Sequence, residues 1–222
     1  MKREAAGRAV VALVSGGLDS SCVVERLLRH GHHVWPVYVR CGLIWEGAEA
    51  FWLRRWLLAL ADRRLGKLHV IRLPVRSLYG KHWSLTGRDI PSHRSADSAV
   101  YLPGRNVLLV TCAGIVCVKR RAHAMALGTL QGNPFGDASP GFFRHLARCL
   151  TGALDYDIQI LTPLIHTSKA ELIQSARTAP LRLTFSCLRP HGRHHCGRCN
   201  KCAERQRGFR RAGIPDPTTY AQ

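Results

Sequence analysis

Two clusters in this sequence combine residue types and spacings that could do chemistry. The first is Ser15-Gly16-Gly17-Leu18-Asp19-Ser20, at the junction of a β-branched apolar run and an amphipathic segment. Glycines there permit a tight turn with positive φ, and the N-terminus of a following helix offers unpaired N–H groups and a positive dipole end to an anion. Ser15 and Ser20 add hydroxyl donors, while Asp19 either holds Mg2+ on bound phosphates or caps the helix. Two glycines flanked by two serines and an aspartate exceed what an ordinary strand-to-helix turn requires. Phosphate binding is therefore the expectation. No Gly-Lys-Ser/Thr follows, so this is not a Walker loop.

The second cluster is Cys187 followed by Cys196, Cys199 and Cys202, spaced C-x8-C-x2-C-x2-C. Four thiolates so close in sequence can close a tetrahedral Zn2+ site, with Gly192 and Gly197 easing the chain around the ion. An iron–sulfur centre and a pair of disulfides are the alternatives that this spacing leaves open. A shell of four sulfurs has no open position, so such a metal would be structural. His191, His194 and His195 lie in the same loop and are expected in solvent or just outside the ligand shell.

The elements that must position these clusters follow from hydrophobic periodicity. Strands are expected at Val10 to Val14, Val34 to Val39, Leu68 to Leu73, Ala124 to Leu127 and Ile158 to Leu161. Helices are expected at Asp19 to His30, Glu46 to Arg64, Arg105 to about Arg121 and Pro140 to Leu150. A further helix starts near Thr167 or Ser168, with Glu171 at the capping-box position. Residues 74 to 103 have no clear period and read as one long connection. Alternating strands and helices imply an α/β fold with a doubly wound parallel sheet. At 222 residues the chain suits one such domain with an appendage, divided here as 1–180 for the nucleotide-binding part and 181–222 for the zinc-binding segment.

Composition bounds the rest. The formal net charge of +19 creates a field that attracts polyanions, but arginine is spread along the whole chain, so a solvated basic surface is expected and no stable nucleic-acid partner. The apolar run Ala9 to Val14 is short and ends in Ser15-Gly16-Gly17, unlike a secretory signal, and no stretch approaches a membrane span. Nine cysteines, an odd count with four of them clustered, favour metal binding in a reducing cytoplasm. Cys22, Cys41, Cys112, Cys117 and Cys149 read as core residues.

The SGGLDS loop resembles that of the N-type ATP pyrophosphatases, and with the cysteine cluster the chain resembles the 7-cyano-7-deazaguanine synthase family of queuosine precursor biosynthesis. Tyr101-Leu102-Pro103-Gly104-Arg105-Asn106 is similar to that family's V-P-G-R-N segment, Pro163 to Glu171 to its P-L-I-H-L-S-K-A-E, and Cys196 to Arg205 to its CGxCxxCxxR run. The resemblance implies an adenine-nucleotide-hydrolase-like sheet. It also implies ATP and Mg2+ as cosubstrate and ion, structural Zn2+, a 7-deazaguanine carboxylate and ammonia as substrates, and a homodimer. On it, Ser15 to Ser20, Arg105 and Asn106 would hold nucleotide, with Ser15, Asp19, Ser20 and Lys169 closest to the reaction. Lys169 lies in the first turn of a helix, unfavourable for a cation unless an anion is near.

Gly132 to Pro140 stands where the family carries a G-Y-P-D-C-like loop. A carboxylate suits a guanine-type edge because it accepts two parallel N–H bonds, which makes Asp137 the candidate for that role and Phe135 the ring that stacks. Asp137 reads equally as N-cap of the helix near Pro140. Competing functions are a tRNA-modifying thiolase on the same nucleotide fold, a zinc-ribbon nucleic-acid module with a vestigial pocket, and a deazapurine-activating enzyme with another acceptor.

Overall fold

The computed structural model describes residues 7–221, so residues 1–6 and 222 at the ends of the two expected segments lie outside it. Five parallel strands form one sheet: β1 (Ala9–Leu13), β2 (His33–Arg40), β3 (His69–Arg72), β4 (Ala124–Ala126) and β5 (Gln159–Leu161), in the order β3-β2-β1-β4-β5. The helices are α1 (Leu18–Arg29), α2 (Glu46–Leu60), α3 (Arg76–Tyr79), α4 (Trp83–Thr86), α5 (Arg105–Arg120), α6 (Pro140–Leu154), α7 (Lys169–Ser175) and α8 (Asn200–Ala212). No helix among the described residues is long and apolar enough to cross a membrane.

Period-two alternation along β1 explains why both faces are covered. Val11 and Leu13 face a core built with Val110, Ala113 and Val116 of α5 and Phe143 of α6. Val10, Ala12 and Val14 face the other, with Val23 and Leu27 of α1, Leu53 and Trp56 of α2, and Ile173 of α7. A central strand buried on both faces must be apolar throughout, which is how Ala9-Val10-Val11-Ala12-Leu13 reads. The C-terminal segment enters both layers: Phe185 and the four clustered cysteines join the first core, and Leu181, Leu183 and Phe209 the second.

The expected elements and the observed ones differ in four places. The helix expected to Arg64 stops at Leu60, because Ala61 takes a left-handed φ of 46° and Asp62 Oδ1 accepts the Arg64 amide at 2.8 Å, turning the chain. The segment expected as one long connection carries α3, α4 and a 3-10 turn at Asp97–Val100, pinned by buried Val75, Val100 and Leu102. Single turns leave no periodic trace in sequence. Helix α8 was not expected, since its apolar stripe is interrupted by a buried arginine, Arg205. Finally, Cys149 is exposed and Cys112 half-buried, so only Cys22, Cys41 and Cys117 of the five isolated cysteines belong to the core.

Candidate active site

The loop between β1 and α1 is shaped by contacts that only its residues allow. Gly16 has φ +77°, and a Cβ there would meet Leu53 Cβ at 3.0 Å. Its carbonyl accepts the Phe185 amide at 2.7 Å, so Gly16 is packed between α2 and the C-terminal segment and is not on the cavity wall. Gly17 is the N-cap of α1 with no side chain to satisfy the helix amides, and it does line the cavity. The first-turn N–H groups, lacking acceptors four residues earlier, are the anion-binding feature of such a terminus. Ser20 Oγ accepts the Ser15 amide at 3.2 Å, and Ser15 Oγ accepts the Gly17 amide at 3.2 Å, so both hydroxyls hold the loop's shape.

This loop opens on a cavity of about 300 Å3 at the carboxyl ends of the strands, walled by Leu13 and Val14 after β1, Tyr38 and Val39 of β2, and Leu127 to Thr129 after β4. The chain order reverses between β1 and β4, which is where open α/β sheets bind their ligands.

Four charged side chains from three helices line one side. Lys169 Nζ lies 2.7 and 2.8 Å from the Asp19 carboxylate oxygens and 2.8 Å from Glu204 Oε1, and Lys201 Nζ lies 2.6 Å from Glu204 Oε2. Asp19 therefore does not cap α1; its carboxylate faces Lys169. Burial opposes the Lys169 charge, yet Asp19 and Glu204 outweigh it and push its pKa up, so the ammonium stays charged. Burial likewise opposes ionisation of Glu204, but Lys169 and Lys201 hold its carboxyl far below the usual range. Ser168 caps α7 in a full capping box with Glu171, which fixes Lys169 at the helix start where these carboxylates supply the required anion.

Arg105 and Asn106 also reach the cavity, at the start of α5. Arg105 Nε is buried and has no partner among the described residues. Asn106 is tied to the loop before α6: its amide donates to Asp137 Oδ2 at 3.1 Å and its Nδ2 to the Asp137 carbonyl at 2.9 Å. Neither Asp137 nor Phe135 is on the cavity wall; Phe135 stacks on Tyr101 with centroids 5.1 Å apart. The N-cap reading of Asp137 is corrected as well, because Ser139 Oγ accepts the Phe142 amide and caps α6.

Cys187, Cys196, Cys199 and Cys202 are buried, with one ligand atom from each within 4.8 Å of all the others. Cys196 Sγ and Cys202 Sγ are 4.0 Å apart, as are Cys199 Sγ and Cys187 Sγ. A tetrahedron with metal–sulfur bonds of about 2.3 Å has edges of about 3.8 Å, so the four sulfurs fit one ion. Amides of Cys196, Arg198 and Leu188 donate to Cys187, Cys196 and Cys199 sulfurs at 3.3 to 3.4 Å, offsetting thiolate charge. His195 is buried rather than solvated, its Nε2 accepting the Ser186 amide at 2.9 Å, and burial with Arg205 nearby holds its pKa down at about 3.

Several wall residues were not found from sequence. Lys201 and Glu204 sit within a motif whose cysteines drew the attention, and Glu49 and Tyr38 lie on elements that read as packing. Gly128 left no signal at all, yet a Cβ there would stand 2.8 Å from the Asp19 carbonyl carbon and the Ser20 nitrogen. Since both are backbone atoms of α1, Gly128→Ala is expected to displace the helix start and cost about 1–3 kcal/mol. An unchanged thermal melt would show that this approach tolerates a methyl group.

A sequence profile described as "Queuosine biosynthesis protein QueC" matches residues 8–213. A 7-cyano-7-deazaguanine synthase of Brucella anthropi is 36% identical over 152 residues, 62% of this chain and 65% of that protein. A Brucella ovis protein of the same name is 34% identical over 173 residues, 71% of this chain and 72% of its own length. This chain thus spans just under two thirds of the first relative and somewhat more of the second. Among solved structures, a predicted subunit of tRNA methyltransferase from Methanocaldococcus jannaschii has TM-score 0.52 at 17% identity, covering 97% of this chain and 93% of that one. A 4-thiouridine synthetase in complex with RNA and ATP has TM-score 0.53 at 15% identity, covering 93% and 50%. At those identities the two structures speak to fold alone.

Proposed function

The chain belongs to the queuosine biosynthesis protein QueC family, and on that premise we propose that it is an ATP-dependent ligase that converts 7-carboxy-7-deazaguanine and ammonia to 7-cyano-7-deazaguanine. The observation that carries this reading is the convergence of the Ser15 to Ser20 loop, Arg105, Lys169 and Lys201 on one cavity. Helix amides and three cations facing one space suit a polyphosphate and a carboxylate, neither of which a purely structural site would gather.

In this reading the substrate carboxylate attacks the α-phosphorus of ATP, pyrophosphate leaves, and ammonia displaces AMP from the mixed anhydride to give the amide. A second activation of the amide oxygen then permits elimination to the nitrile. No protein nucleophile is needed, so the chain's work is positioning and charge neutralisation. The α1 terminus and Lys169 would bind the departing pyrophosphate, and Arg105 would orient a carboxylate. Asp19 would hold Mg2+, whose contribution when bound is to neutralise phosphate charge. The four cysteines would hold Zn2+, which fixes residues 181–222 over the nucleotide site formed within 1–180. Ammonia as nitrogen donor, a cytoplasmic location and a homodimer rest on the family resemblance.

The thiolase alternative needs a reactive cysteine in the cavity. Cys187 is the cysteine on its wall and belongs to the four-sulfur set, while burial pushes Cys22 up to about 12, Cys41 up to about 11 and Cys117 up to about 12, which suppresses thiolate. The deciding experiment is to incubate the protein with ATP, Mg2+, ammonium and 7-carboxy-7-deazaguanine and to follow nitrile by mass alongside AMP and pyrophosphate. Nitrile is expected. Nucleotide consumption without it would retain the ATP site and remove the substrate.

A further inference from the structure

The wall opposite the Lys169 cluster holds a carboxylate to which the mechanism above gives no role. Glu49, on α2, is 7% exposed and lines the cavity. The Tyr38 hydroxyl donates to its Oε2 at 2.7 Å, and no described residue donates to Oε1. Around it, Val39, Trp45, Leu109 and Leu188 give the cavity apolar, partly aromatic sides. Trp45 is held by stacking on Trp83 at 5.7 Å. A flat ring with apolar faces and an edge of N–H donors matches these walls.

We propose that Glu49, positioned by Tyr38, is the residue that reads the N–H edge of the deazaguanine ring, accepting from the ring N–H and its neighbouring 2-amino group. This assignment rests on the function proposed above and moves the recognising carboxylate from Asp137, which is engaged with Asn106 away from the cavity. Adenine is the poorer match. Its amino group is flanked by ring nitrogens that accept hydrogen bonds, and these would repel a carboxylate where a guanine-type edge presents two adjacent donors.

The charge state of Glu49 supports the same role. Burial raises its pKa to about 7, against the Tyr38 hydrogen bond and nearby Arg105, which both favour ionisation, while Glu46 adds to the rise. Arg40, from β2, pairs with Glu46 at 3.4 Å and faces the same end of α2. A ring edge that only donates selects the ionised carboxylate, so its affinity should fall as pH drops below about 7.

The test compares the ring with and without its amino group, which does not depend on turnover. Calorimetric binding of 7-deazaguanine and of 7-deazahypoxanthine is measured for the wild type, Glu49→Gln and Tyr38→Phe, each first shown to melt cooperatively. The wild type should favour 7-deazaguanine by about 30-fold, Glu49→Gln should lose that preference, and Tyr38→Phe should weaken it by about threefold. The wild-type preference should shrink on acidification through pH 7, and the Glu49→Gln affinities should stay level. A preference that survives in Glu49→Gln, a wild type that binds neither ring, or a loss of ATP affinity in place of ring affinity would each overturn the assignment. The nitrile assay separately decides the reaction, so failure of one does not imply failure of the other.

Discussion

Asp19→Ala should lower nitrile formation by about 10²–10³-fold, the loss typical of removing one preorganised electrostatic contact, while leaving the metal content of the protein unchanged. The carboxylate sits where the α1 terminus, Lys169 and the cavity meet, with both oxygens on the Lys169 ammonium. Without it Lys169 keeps Glu204, 2.8 Å away, and would be drawn toward α8 and away from the phosphates. The fold should tolerate the change. An acidic residue in the first turn of a helix contributes only about 0.3–1 kcal/mol through the dipole. Rate by mass spectrometry and metal by elemental analysis settle the point together: wild-type turnover in the variant would remove Asp19 from the mechanism, and lost metal would show that the substitution damaged the fold.

Cys199→Ser should strip the metal and with it the activity. Cys199 accepts the Leu188 amide at 3.4 Å through its sulfur and is also the N-cap residue of α8. The helix it starts carries Lys201 and Glu204 to the cavity wall, and Arg205 inward to Thr184 Oγ1 at 2.8 Å and the Leu181 carbonyl at 3.0 Å. Metal binding at such a site is folding free energy, so a lost ligand should lower the melting temperature by about 10 °C or more. Turnover should fall because Glu204 no longer braces Lys169. Full metal content with unaltered melting would count against the ligand set, and lost metal with full turnover would show that α8 is placed by its apolar contacts alone.

These two predictions draw on different parts of the chain, and the sequence made the parts unequally visible. The loop at Ser15 to Ser20 was legible because a phosphate-binding turn is local: its glycines, hydroxyls and helix start are neighbours in sequence. The cysteine quartet was legible for the same reason, since short spacings can close only on a nearby ion. Even there the roles of single residues were not. Gly16 is required by its approach to Leu53 on α2, a contact no local pattern announces. Lys169 was noticed as a cation at an unfavourable helix position, and that electrostatic oddity pointed correctly to a nearby anion without saying that it would be Asp19 and Glu204.

Sequence by itself determined the parallel α/β alternation, the phosphate-binding turn and the four-sulfur site, because each follows from periodicity or from spacing within one short segment. Tertiary structure alone decided which charges meet across the cavity. It joined Asp19 to Lys169, 150 residues away, brought Gly128 against the start of α1, drew Asp137 aside to Asn106, and left the buried carboxylate of Glu49 on the wall. The physical reason is range. A turn or a chelating loop is specified by the dihedral freedom and donor atoms of a few consecutive residues, whereas the partner of a side chain at the end of a strand is fixed by how whole helices pack on the sheet.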